Sequence, residues 1–117
     1  MGKLTTHVLD TAQGKAAAGM KIEFFERDGA AWTLLKTLHT NADGRTGEPL
    51  LANEAMRAGQ YQLIFHVADY FRRNDVKLPT PAFIDQVPLQ FGIADARAHY
   101  HVPLLCSPWA YSTYRGS

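Results

Sequence analysis

Short segments in which apolar and polar residues alternate run along most of the chain, separated by turn residues. Such alternation places apolar side chains on one face and polar side chains on the other, which is typical of half-buried β-strands. The pattern predicts strands over residues 4–9, 20–26, 32–40, 60–67, 83–91, 99–105 and 109–115. About seven or eight strands with little helix predict an all-β antiparallel sandwich.

Turn residues and prolines support this division. Asp28-Gly29 and Asp43-Gly44 follow predicted strands, and glycine accepts the positive φ that tight turns need. Pro88 confines its strand to an edge or a bulge, because proline donates no ladder hydrogen bond. Residues 53–58 and 68–75 are predicted to be short helices. The chain is expected to form a single domain, residues 1–117.

Composition narrows the function only slightly. The 117 residues are 46% hydrophobic and carry 12 basic and 11 acidic side chains, a balance that favours neither nucleic acid nor a membrane surface. No apolar stretch approaches the roughly 18 residues of a membrane helix. The single cysteine, Cys106, excludes an internal disulfide. It is expected to be buried and inert, although spacing alone leaves a catalytic Cys-His pair open.

The five histidines are the main chemical candidates. His39 and His66 each stand alone on a strand, which is typical of surface or core residues. His99 and His101 are separated by one residue, so they share a face. Tyr100, Val102, Leu104 and Cys106 occupy the opposite, core-like face, which leaves His101, Pro103 and Leu105 in a row pointing away from the core. Such a row is expected to contact a ligand or a partner, and a metal held by the two histidines stays open.

Several segments together resemble the transthyretin-like family along nearly the whole chain. They are residues 4–10 (LTTHVLD), 41–45 (NADGR), 99–105 (HYHVPLL) and 111–117 (YSTYRGS). The ending Tyr114-Arg115-Gly116-Ser117 is the most specific, since it separates the hydrolase branch of the family from the carrier transthyretin.

The resemblance implies a sandwich of two four-stranded sheets with one short helix. It implies a homotetramer with its active sites in a central channel, where 5-hydroxyisourate is hydrolysed to 2-oxo-4-hydroxy-4-carboxy-5-ureidoimidazoline in urate degradation, a part of purine metabolism. No cofactor and no metal would be needed. The implied catalytic residues are His7, Arg45 and His101, and the implied substrate-binding residues are His7, Arg45, Tyr114, Arg115 and Ser117.

These residue types suit hydrolysis of a cyclic amide. Histidine titrates near neutral pH and is a natural general base, with His101 slightly preferred over His7. The Arg45 guanidinium can donate paired hydrogen bonds to carbonyl oxygens and stabilise an oxyanion. Its positive charge would also disfavour imidazolium on a nearby histidine. Tyr114 can orient the substrate or pack on its ring, and the Ser117 carboxylate can balance the local positive charge.

Two other functions compete with this interpretation. A non-catalytic small-molecule carrier would use the same sandwich, but Tyr114 should narrow its channel and the histidines should make it polar. A structural β-domain gives no reason for an ordered Tyr-Arg-Gly-Ser ending. The first residues lack the apolar region of a signal peptide, so the cytoplasm is the expected location, and the periplasm is the alternative if a signal has been removed.

Overall fold

The computed structural model describes residues 1–116, so the prediction made for Ser117 lies outside the described residues. Within these residues, nine strands and one α-helix follow in chain order: β1 (Lys3–Asp10), β2 (Lys15–Ala16), β3 (Lys21–Asp28), β4 (Ala31–His39), β5 (Leu51–Ala52), β6 (Gly59–His66), α1 (Val67–Arg73), β7 (Gln86–Ile93), β8 (His99–Cys106) and β9 (Tyr111–Thr113). A 3-10 turn at Asn53–Ala55 stands where a short helix over residues 53–58 is predicted, so that prediction is wrong. Within residues 1–116 no helix is long and apolar enough to cross a membrane.

The strands form two sheets that confirm the predicted sandwich. One sheet has the order β4-β3-β6-β7, and every pair in it is antiparallel. The other has the order β2-β1-β8-β9, with β5 also paired to β1. Since β8 occupies one edge of β1, the short strands β2 and β5 share its other edge, at Leu9–Asp10 and Lys3–Leu4 respectively. This sheet therefore has the four strand positions that were expected, and one position is shared by two short strands, β2 and β5.

One pairing departs from the antiparallel expectation. Strands β1 and β8 run parallel, with Lys3 beside His99 and Asp10 beside Cys106. The antiparallel expectation rests on the number of short strands and the small amount of helix, which do not specify how strands from opposite ends of the chain pair. The intervening residues build the other sheet, so the long connection that a parallel pair requires is already present.

The core lies between the sheets and follows the period-two pattern of the strands. On β1 and β8 the inward side chains include Leu4, Val8 and Leu104, all completely buried. Phe24 and Tyr61 face them from the other sheet, with stacked rings whose centroids lie 5.6 Å apart. Full burial of one such side chain stabilises the fold by roughly 1.5–3 kcal/mol.

Element boundaries differ from the sequence prediction at two places near the C-terminus. Strand β7 begins at Gln86, because Asp85 accepts a backbone hydrogen bond from Ala68 at the start of α1, and Phe83 lies outside the sheet. Strand β9 begins at Tyr111, because the preceding residues form a turn closed by the hydrogen bond from Ser107 N to Ala110 O. As predicted, the strand that contains Pro88 is an edge strand.

The helix is attached to the sheet that contains β1 by a buried carboxylate. Asp10 at the end of β1 is 1% exposed and accepts hydrogen bonds from the Tyr70 hydroxyl at 2.8 Å and from the Gln13 backbone and side chain. Burial raises the pKa of Tyr70 well above its usual range, and the Asp10 carboxylate raises it further. The phenol therefore remains a neutral donor, and α1 is held against β1.

We expect Tyr70→Phe to lower the stability of the protein without changing its fold. The substitution removes one donor from a buried carboxylate, which costs on the order of 1–3 kcal/mol. Urea unfolding of the variant and the parent at equal protein concentration measures this cost, with Tyr111→Phe as the control on an exposed tyrosine. Equal unfolding midpoints for Tyr70→Phe and the parent would contradict a stabilising role for this contact.

Candidate active site

The outward face of the β1–β8 pair gathers the polar residues of both chain ends. The register places Thr5 beside His101 and His7 beside Pro103. Thr5, His7 and His101 are each half-buried, and Pro103 is buried although it lies outside the core. The predicted outward row of His101, Pro103 and Leu105 therefore lies next to the histidine of the first strand.

His7 is held by the loop that carries Arg45. Its Nε2 lies 2.8 Å from the backbone oxygen of Asp43. A carbonyl oxygen only accepts hydrogen bonds, so Nε2 carries the proton and donates. In the neutral ring the lone pair is then on Nδ1.

The loop is fixed to β1 by Gly44 and Asn41. Gly44 accepts a hydrogen bond from Val8 N at 2.8 Å and has φ 75°, and a Cβ there would lie 2.4 Å from Val8 O. The Asn41 side-chain oxygen accepts from the backbone N–H groups of Asp43 and Arg45. Arg45 therefore lies at the end of this loop, beside the strand that carries His7, and its side chain is exposed.

The environment of His101 favours its neutral form. Its Nδ1 lies 2.8 Å from the Thr5 hydroxyl. Partial burial lowers the pKa of His101 below its usual value, and the positive charges of Arg45 and His7 lower it further. The structure thus brings His7, Arg45 and His101 together, and the lowered pKa favours the neutral imidazole of His101.

The C-terminal segment covers the other side of the His101 ring. Gly116 N donates to His101 O at 2.7 Å, forming an isolated β-bridge. A Cβ at Gly116 would lie 2.9 Å from Cδ2 and 3.1 Å from Cβ of His101. Only glycine allows the tail backbone to lie this close to the imidazole.

Tyr114 and Arg115 form the wall of the cleft that His101 and Gly116 also line. Tyr114 is 60% exposed. The Arg115 guanidinium lies 4.2 Å from the Tyr100 ring centroid and donates to His99 O at 3.2 Å. Of the two residues, Tyr114 is therefore the freer to contact a ligand. On their other side, Tyr114 and Arg115 border an apolar hollow of about 250 Å³ between the sheets.

The other three histidines lie away from this site or form hydrogen bonds with other groups. His39 is exposed on β4 of the other sheet, and His66 is buried with its Nε2 2.7 Å from Glu23 Oε1. His99 Nε2 donates to the Met1 carbonyl oxygen at 3.2 Å. In the part of the chain that the structure describes, His, Cys, Asp and Glu side chains form no group of three or more that could hold a metal ion.

Cys106 is a core residue. It is completely buried, and burial together with the Asp10 carboxylate raises the pKa of its thiol to about 12. A thiol with this pKa is not a nucleophile near neutral pH. The predicted inert role agrees with this position.

Thr5 and Gly116 both contact His101, although neither is predicted from the sequence as a site residue. Period two places Thr5 on the face of His7, and this is the one sequence signal that could have singled it out. Its contact with His101 depends on the register of two strands from opposite chain ends, which periodicity does not reveal.

The two sheets, the single helix and the histidine-bearing outer face define a transthyretin-like sandwich with a polar site. The chain belongs to the HIUase/Transthyretin family, whose model matches residues 4–116. It is 59% identical over 116 residues to 5-hydroxyisourate hydrolase 2 of Rhizobium meliloti, covering 99% of this chain and 97% of that protein.

Solved structures agree with this assignment. The fold matches a 5-hydroxyisourate hydrolase of Klebsiella pneumoniae with a TM-score of 0.81 and 32% identity, over 100% of both chains. It also matches an (S)-allantoin synthase with a TM-score of 0.93 and 42% identity. That match covers 99% of this chain but 44% of the longer synthase.

We expect Arg45→Gln to raise the pKa of His101. The guanidinium is one of the charges that lower it, so its removal should let the ring take up its proton at higher pH. Histidine side-chain NMR across a pH titration measures the change. Arg57→Gln is the matched control, because Arg57 pairs with Glu26 on the other sheet. An unchanged His101 titration in Arg45→Gln would show that Arg45 does not act on this ring.

Proposed function

We infer that this protein is an enzyme that hydrolyses 5-hydroxyisourate to 2-oxo-4-hydroxy-4-carboxy-5-ureidoimidazoline, a step of urate degradation. The observation that supports this function most directly is that a neutral His101, His7 and the Arg45 charge lie together on one face beside the C-terminal tail. The substrate comes from the relatives, since a chain 59% identical over almost its full length is named for this hydrolysis.

The residues fit the steps of a cyclic amide hydrolysis. A neutral His101 takes a proton from water as the water oxygen bonds to the carbonyl carbon. The carbonyl oxygen becomes an oxyanion, which the permanently charged Arg45 guanidinium stabilises. Because this charge develops only in the transition state, the contact lowers the barrier rather than merely binding the substrate.

Ring opening then needs a proton donor. When the C–N bond of the cyclic amide breaks, the carbon side becomes a carboxylate and the nitrogen side a ureido group, the two groups in the product's name. The departing nitrogen must receive a proton. Protonated His101 offers the proton that it has accepted, whereas the Nε2–H of His7 is already donated to the Asp43 carbonyl. Tyr114 stands in the wall of the same cleft and is placed to contact the substrate ring.

A non-catalytic carrier on the same fold is the weaker reading. A carrier for apolar ligands needs an open apolar channel, whereas this face carries two histidines, an arginine and the tail. Four relatives that are 56–60% identical to this chain are each named as 5-hydroxyisourate hydrolases.

We expect His7→Asn, Arg45→Gln and His101→Asn each to lose activity by on the order of 100-fold or more, because each removes a proton-transfer group or an oxyanion donor. The assay generates 5-hydroxyisourate with urate oxidase and follows its ultraviolet decay against the spontaneous rate. His39→Asn is the control, on an exposed histidine of the other sheet. A His39→Asn variant as inactive as His101→Asn would refute the site, and a parent protein that leaves the spontaneous rate unchanged would refute the function.

We further propose that the active form is a homotetramer with its sites in a shared channel. Supporting this, the site lies on an outward sheet face rather than in an enclosed pocket. Large apolar side chains are exposed in the last third of the chain, namely Phe83, Trp109, Tyr111 and Tyr114. Strands β7 and β9 each end a sheet and offer a free edge. Burying these groups against other copies would remove apolar surface from water.

We expect light scattering at low micromolar concentration to report about four times the 13.0 kDa of one chain. Burial of the exposed aromatic side chains is the physical reason, so Trp109→Glu should lower the measured mass. His39→Glu, on the other sheet, should leave it unchanged. A monomer with full activity would contradict the shared channel.

A cytoplasmic location is also proposed, with the periplasm as the alternative. It is supported by a fold that contains one buried free cysteine and so depends on no oxidising compartment.

A further inference from the structure

Thr5 is the only described side chain that hydrogen-bonds the imidazole of His101. The two residues are paired across β1 and β8, and Thr5 Oγ1 lies 2.8 Å from Nδ1. We propose that Thr5 is a positioning residue that accepts a hydrogen bond from Nδ1–H of His101 and thereby keeps the Nε2 lone pair free to act as the base. This rests on the proposed hydrolase function and adds a residue to its machinery.

The two histidines of the site are held by opposite ring nitrogens. His7 is bonded through Nε2 to a backbone carbonyl, which dictates its tautomer because a carbonyl cannot donate. His101 is bonded through Nδ1 to a hydroxyl, which can donate or accept. The direction of this one hydrogen bond therefore decides whether Nε2 of His101 carries a lone pair or a proton.

The surrounding charge favours the direction in which Thr5 accepts. Besides burial, the charges of Arg45 and His7 lower the pKa of His101, and Arg115 lines the same cleft. In a neutral imidazole the unprotonated nitrogen is the negative end of the ring dipole. Turning that end towards a positively charged cleft is favourable, whereas an N–H turned there is not. The Thr5 hydroxyl proton remains free to bond water, since the oxygen has two lone pairs and one proton.

Packing keeps the ring in this orientation. On the tail side, Gly116 lies against Cδ2 of the ring. Thr5 holds Nδ1 from the β1 side. Among residues 1–116 no hydrogen-bond partner reaches Nε2 of His101, which leaves that atom for the substrate or the attacking water.

The adjacent Thr6 provides a matched control. Its side chain points to the opposite face, is 2% exposed and donates to Val102 O at 2.7 Å. It ties the same two strands together without touching the imidazole. Thr6→Val should therefore lower stability and leave the His101 tautomer as it is.

The test measures the tautomer and the kinetics separately. Long-range proton–nitrogen NMR of the full-length, ¹⁵N-labelled protein, at a pH where His101 is neutral, should report Nδ1–H in the parent and in Thr5→Ser. In Thr5→Val it should report a shift towards Nε2–H. The kcat of Thr5→Val should fall on the order of tenfold, with a smaller change in KM, since about one hydrogen bond that positions the base is lost. Thr5→Ser should recover most of the rate.

Three results would overturn the proposal. The first is a parent protein whose His101 is the Nε2–H tautomer, because Thr5 would then donate. The second is a Thr5→Val variant with unchanged tautomer and kcat. The third is a Thr6→Val variant that changes the tautomer as much as Thr5→Val does, because the effect would then be a general consequence of a weakened sheet. The tautomer needs no substrate, so a parent that fails to hydrolyse 5-hydroxyisourate refutes the proposed function and leaves this measurement interpretable.

Discussion

The parallel pairing of β1 with β8 holds the two ends of the chain in one register, from Lys3 beside His99 to Asp10 beside Cys106. Its inner face supplies core side chains, and its outer face supplies His7 and His101. Successive side chains alternate between faces, so a slip by one residue would send core residues into solvent and the histidines towards the core. The hydrophobic effect that fixes the core therefore also fixes the geometry of the candidate site, and this outer face needs no separate source of stability.

The site also depends on partial burial. Complete exposure would leave the pKa of His101 near its usual value, and burial together with Arg45 and His7 lowers it. The C-terminal segment contributes because Gly116 lies against the ring and excludes solvent from one side. The tail thus acts on the imidazole through its backbone, which explains how a segment with few core contacts can belong to the site.

The local sequence predicted the seven main strands, the helix near residues 68–75 and the outward position of His101, because each is encoded by neighbouring residues, but the helix predicted over residues 53–58 is only a 3-10 turn. It could not predict the short strands β2 and β5, since two residues show no alternation. It also could not predict that β1 and β8 run parallel, because partner choice between distant strands depends on the packing of the whole chain. The Thr5–His101 contact was missed for the same reason. His7, Arg45, His101 and Tyr114 came from family resemblance, and only the structure gives the contacts between their elements.

The loop of residues 41–45 links the remaining two groups of the site. Its Asp43 carbonyl sets the tautomer of His7, and Arg45 follows two residues later. Gly44 lies between them, at a positive φ and so close to Val8 O that a larger residue would push the loop away from β1. Moving the loop would release His7 and displace the guanidinium together. His7 and Arg45 therefore share one backbone anchor, whereas His101 on β8 has its own, and a change at Gly44 should displace the first two while leaving the Thr5–His101 contact in place.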